Sequence, residues 1–154
     1  MIEGPLAGLA YVLLKYLSYS AWCALGVRLF REAAPSPWRS GFQLGAVRLT
    51  LGLVFGGSLF LAVALHGMSG RAPLAEYFEL YAPLRLVEWS ILAALIQPGL
   101  GSVLVGPRRP AGGSRLTGLA WKLGGIVVSH LVDLPIILGY EGVRGMLPIG
   151  RFLC

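Results

Sequence analysis

His130 and Asp133 stand three residues apart in VVSHLVDLPIILG, Val127 to Gly139, a stretch that is otherwise almost wholly apolar. Three residues is close to one helical turn, so on a helix both side chains share a face. A carboxylate beside an imidazole fixes the ring tautomer and suits it to general-base work or to a proton relay. A second apolar run, YVLLKYLSYSAWC, carries Lys15, with Tyr11, Lys15, Ser18 and Trp22 spaced by four, three and four residues, so the four line one helical stripe. Glu88, with Arg85 on the preceding turn, stands in a third such run.

The chemistry open to these groups is limited by ligand count and spacing. A haem held between helices needs two axial ligands at similar depth, and the two histidines, His66 and His130, fall at the end of one run and the middle of another. Zinc needs three or four ligands, while His130 and Asp133 give two with Glu88 a distant third. No metal and no cofactor is therefore expected. Ser129 precedes His130 directly, and helical neighbours point about 100° apart, which places them poorly as nucleophile and base; Ser18 is the alternative. Cys23 and Cys154 form no CxxC motif, and the terminal cysteine lacks the context of a prenylation signal.

The elements that must position these groups follow from composition. Of the 154 residues 56% are hydrophobic and 13% charged, with a mean hydropathy of +0.72, far more apolar than a soluble domain of this size. Four stretches approach the roughly 20 residues that span a bilayer: 6–30, 44–65, 86–105 and 119–140. The expected fold is all-α, a polytopic integral membrane protein with four transmembrane helices in a bundle and one domain over residues 1–154. MIEGP, ahead of the first stretch, has an acid and no basic residue, so that span reads as retained rather than as a signal peptide.

The formal charge of +6 does not point to nucleic acid, because the 13 basic residues scatter over loops and span ends without an aromatic-interleaved stripe. Arg28, Arg31 and Arg39 flank the first connection and Arg108, Arg109 and Arg115 the third, whereas the second balances Arg71 and Arg85 against Glu76 and Glu79. The positive-inside rule then puts connections one and three in the cytoplasm and both termini outside. Eleven Arg against two Lys, with abundant Gly and Ala, suggests a GC-rich genome and hence a bacterial inner membrane. The lipid bilayer is the first partner, with a second copy or another membrane protein compatible with the pattern.

Within the second span Gly41, Gly45, Gly52 and Gly56 form a strip for close helix approach, the main packing device in lipid. Arg48 sits one turn inside the same span, where its side chain is expected to snorkel to the headgroups. In the third span Gln97 and Pro98 predict a kink beside the bundle interior. Between the second and third spans, PLAEYFELYAPL puts Leu74, Tyr77, Phe78 and Tyr81 on one helical face, the pattern of a short interfacial amphipathic helix. The third connection, GPRRPAGGSR, reads as a basic loop.

Counted at ~1.5 Å per residue from the outer span ends, Lys15 lies roughly 13 Å deep, Asp133 roughly 10 Å and His130 roughly 15 Å. A lone mid-bilayer charge costs at least ~2.5–3.5 kcal/mol. Lys15 and Asp133 are therefore expected to pair inside the bundle with His130 as a neighbour, Tyr11, Ser18, Trp22 and Gln97 lining the surrounding space. The leading functional expectation is a small accessory, scaffold or assembly-type membrane protein whose buried polar cluster holds the helices in register. Two others stay open: a proton-coupled small-molecule transporter or channel subunit using Asp133 and His130, and an intramembrane enzyme acting on a lipid or isoprenoid with His130 as base.

Overall fold

The computed structural model describes residues 5–31, 36–65, 74–96 and 115–140. Among them every element is helical: α1 Pro5–Phe30, α2 Pro37–Leu65, α3 Leu74–Ile96 and α4 Arg115–Tyr140. Proline occupies the first position of α1 and of α2, where its missing N–H removes nothing from the helical ladder. Ser36 caps α2, its hydroxyl accepting the Arg39 N–H at 3.3 Å. The span boundaries expected from hydropathy fall inside these helices, except that residues 97–105 lie outside the described residues, and with them Gln97 and the Pro98 kink.

Each helix runs antiparallel to its chain neighbours. Gly41 of α2 lies against Ala24 and Ser20 of α1, and Gly45 against Ser20 nearer the N-terminus of α1. Trp121 at the start of α4 meets Trp22, while Asp133 near its end meets Lys15 and Tyr11. α1 and α3 run parallel, since the Arg31 Nε just past the end of α1 donates to the Ile96 carbonyl at the end of α3 at 2.8 Å. That contact caps a helix C-terminus with a cation, where the dipole favours it. Arg31 is buried there, so it is a structural cap rather than the loop charge its position suggested.

The separate interfacial helix expected before the third span is instead the start of α3, one helix from Leu74 to Ile96. Pro83 lies inside it without ending it: its ring is on an exposed face, and the helix accommodates the one lost N–H. Glu88 consequently sits fourteen residues, roughly 21 Å, from the start of its helix rather than one turn inside.

Close packing comes from indoles laid over glycines. A Cβ at Gly26 would stand 2.6 Å from the Trp121 ring, one at Gly125 would stand 2.5 Å from that of Trp89, and Gly124 lies under Trp22. Trp22 Nε1 donates to the Trp121 carbonyl at 3.0 Å and Trp121 Nε1 to the Trp22 carbonyl at 3.1 Å, a reciprocal pair that locks α1 to α4. Trp89 and Trp121 meet edge to face at 5.3 Å, within a core that also holds Tyr19, Cys23, Val27, Leu44, Leu92 and Ile96. Gly52 and Gly56 are buried as well, so the whole α2 strip faces inward.

Charged side chains share the interior with this apolar core. Lys15, Arg48, Arg85, Glu88 and Asp133 are fully buried, while Leu9, Leu13, Leu17, Leu53, Leu123 and Leu131 are exposed on the outer faces. By length and composition, one stretch among the described residues, Pro37–Leu59 of α2, is apolar enough to cross a membrane.

Candidate functional site

Five charged side chains, contributed by all four helices, alternate in sign across the bundle. Lys15 Nζ of α1 lies 2.7 Å from Asp133 Oδ1 of α4, and Arg85 Nη2 of α3 lies 2.8 Å from Asp133 Oδ2. Arg85 Nη1 reaches Glu88 Oε2, one turn along the same helix, at 3.3 Å. Arg48 Nη2 of α2 closes on that same oxygen at 2.6 Å. The sequence of charges is thus Lys15, Asp133, Arg85, Glu88, Arg48, with both carboxylates bridging two cations.

Neutral groups complete the ladder. The Tyr11 hydroxyl donates to Asp133 Oδ1 at 2.7 Å and its ring lies 4.8 Å from Lys15 Nζ. Ser129 accepts the Trp89 indole N–H at 3.1 Å and donates back to the Gly125 carbonyl at 2.9 Å. Arg48 Nη2 reaches the Ser129 oxygen at 3.5 Å, and the guanidinium stacks over Tyr19 at 4.8 Å and Trp89 at 5.6 Å. The Gly125 notch that admits Trp89 therefore also sets where Ser129 meets Arg48.

The residues singled out in the sequence fall into three sets. Lys15, Asp133, Glu88 and Tyr11 meet in the ladder. His130 is half-buried, one turn before Asp133. Ser18 and Trp22 are half-buried too, because the inward polar stripe of α1 continues from Lys15 to Tyr19, four residues on, rather than to Ser18. Trp22 turns instead to α4.

Arg48 is the principal correction. Instead of snorkelling, it is fully buried and paired with Glu88. The signal was present, since 41, 45, 48, 52 and 56 are spaced as one helical stripe, and a residue on a strip that packs against a neighbouring helix points inward with it. Arg85 was legible as the neighbour of Glu88 but not as its bridge to Asp133, and Ser129 only as a poor nucleophile.

The arrangement restricts chemistry. Both carboxylates are engaged by cations, the Ser129 proton is committed to a carbonyl, and among the described residues no group of three His, Cys, Asp or Glu side chains could hold a metal ion. It links side chains of all four helices through ion pairs. Against known proteins, the sequence matches no family model, and no curated protein or solved structure is significantly similar to it.

Proposed function

We propose that the chain is an integral membrane protein of accessory or scaffold type, a four-span bundle whose charge ladder sets helix register. The observation that carries this reading is the inverted polarity: five fully buried charges inside, leucine outside. In water that distribution forfeits hydrophobic drive and desolvates ions; in lipid the outer leucines are solvated by acyl chains, and interhelical polar contacts with close glycine packing supply the association. The helices of 23 to 29 residues reach roughly 35–43 Å, beyond the ~30 Å hydrocarbon core. A bacterial inner membrane with both termini outside is the placement that goes with it.

The scaffold reading stands ahead of a proton-coupled transporter because Asp133 is held by Lys15, Arg85 and Tyr11 together, and a proton carrier must shed its counter-charges in each cycle. It stands ahead of an enzyme because the hydroxyl of Ser129, the residue before His130, is committed to the Gly125 carbonyl at 2.9 Å. The test is extraction and topology. The protein should stay with membranes in alkaline carbonate, and a Ser36→Cys variant in which Cys154 is replaced by serine, Cys23 being buried, should react with an impermeant maleimide only from the cytoplasmic side. His130→Gln should remain folded with modest loss. Release by carbonate would remove the membrane reading, and loss of a pH-dependent flux in folded Asp133→Asn would replace the scaffold reading with transport.

A further inference from the structure

Three aromatic rings form a row across the α1/α2 hairpin. Trp38 and Phe42, one turn apart on α2, have ring centroids 6.2 Å apart and planes tilted by 35°, and Phe42 meets Tyr16 of α1 at 6.0 Å and 33°. The Tyr16 hydroxyl donates to the Phe42 carbonyl at 3.3 Å, which ties the row to both helices. Trp38 and Phe42 are exposed and Tyr16 is half-buried, so the row is open to its surroundings. Arg39, also exposed, precedes Phe42 by three residues and stands beside it on the same side of α2. Charge at this end of the bundle is one-sided. The bond from Arg31 to the Ile96 carbonyl and the packing of Trp121 over Gly26 bring the ends of α1 and α3 and the start of α4 together. Residues 28–39 and 97–115, which join helices at this end, hold six arginines against one acid, Glu32.

We propose that this face seats one acidic phospholipid, its phosphate on the Arg39 guanidinium and an acyl chain along Trp38, Phe42 and Tyr16. A guanidinium presents a planar fork of donors that matches phosphate oxygens. Aromatic side chains sit where acyl chain gives way to headgroup, so the row supplies an apolar wall directly beside that fork. The arginine excess of the two connections favours an anionic headgroup over a zwitterionic one. The proposal rests on the four-span membrane reading but not on which way the bundle is oriented.

The experiment reconstitutes the full chain in phosphatidylcholine vesicles holding increasing fractions of dibrominated phosphatidylglycerol or, in parallel, of dibrominated phosphatidylcholine. Bromine on an acyl chain quenches indole fluorescence on contact. Trp89 and Trp121 are buried and Trp22 is half-buried, so Trp38 is the indole most open to it. Half-maximal quenching should need about fivefold less of the brominated phosphatidylglycerol, the preference one arginine gives near a headgroup. Arg39→Gln lies on an exposed face, should fold, and should remove that preference. Trp38→Phe should lose the preferential quenching with its reporter. Equal quenching by the two lipids would overturn the proposal, as would a preference that survives Arg39→Gln or Trp38→Phe. Quenching by neither lipid, with cross-linking between chains, would give the face to a second copy. Failure of the protein to float with the vesicles would instead overturn the membrane reading.

Discussion

Replacing Asp133 by leucine should cost much more than replacing Lys15, although the two are partners. Asp133→Leu removes the carboxylate from Lys15 and Arg85 at once and the acceptor from the Tyr11 hydroxyl. Breaking a buried pair by deleting one member costs about 3–5 kcal/mol, and here Lys15 loses the carboxylate at 2.7 Å while Arg85 keeps Glu88 at 3.3 Å, so that range applies. Lys15→Leu leaves Asp133 with Arg85 at 2.8 Å and Tyr11 at 2.7 Å, which limits the loss to about 1–3 kcal/mol. In the double variant the lysine stranded by the first change is gone, so the combined loss should fall short of the sum by about 1–3 kcal/mol. Equilibrium unfolding in mixed micelles, followed by circular dichroism and tryptophan fluorescence, measures all four proteins. Losses that add within about 0.5 kcal/mol, or a Lys15→Leu cost equal to that of Asp133→Leu, would refute the ladder as drawn.

Further expectations follow from the packing. Gly125→Ala places a methyl 2.5 Å from the fully buried Trp89 ring and should destabilise by about 1–3 kcal/mol, whereas Gly57→Ala, with open space around its Cβ, should be neutral or slightly stabilising in the same assay. Arg31→Met removes the donors to the Ile96 and Leu95 carbonyls; about 1.5–3 kcal/mol should be lost, and amide exchange over Leu92–Ile96 should accelerate ahead of the rest of α3. Unchanged exchange there would show that the cap contributes nothing.

The helices were legible because apolar runs of this length have few other structures available, and depth counting was enough to bring Lys15 and Asp133 to one level. The glycine strip of α2 was legible as a contact, but its partner was not: the groove is completed by Ser20 and Ala24 of α1, small residues four apart that carry no signal without knowing which helices touch. The extent of α3 was misread because aromatic and acidic residues ahead of Pro83 resemble an interfacial segment, and a proline on an exposed face breaks less than its reputation suggests. Arg48 was misread because one turn from an expected span end is within snorkelling distance. The helix in fact begins at Pro37, eleven residues before Arg48, and on the packed face of that helix the guanidinium meets Glu88 at 2.6 Å.

The inverted polarity is tested most directly by nitroxide accessibility at Leu53→Cys and Leu131→Cys, whose native side chains are 50% and 57% exposed on the outer faces of α2 and α4. With Cys154 replaced by serine and Cys23 buried, each spin label reports one site in lipid vesicles. Frequent collision with dissolved oxygen and little with a water-soluble nickel chelate is expected at both positions. Free collision with the nickel chelate would place those leucines in water and contradict the membrane bundle.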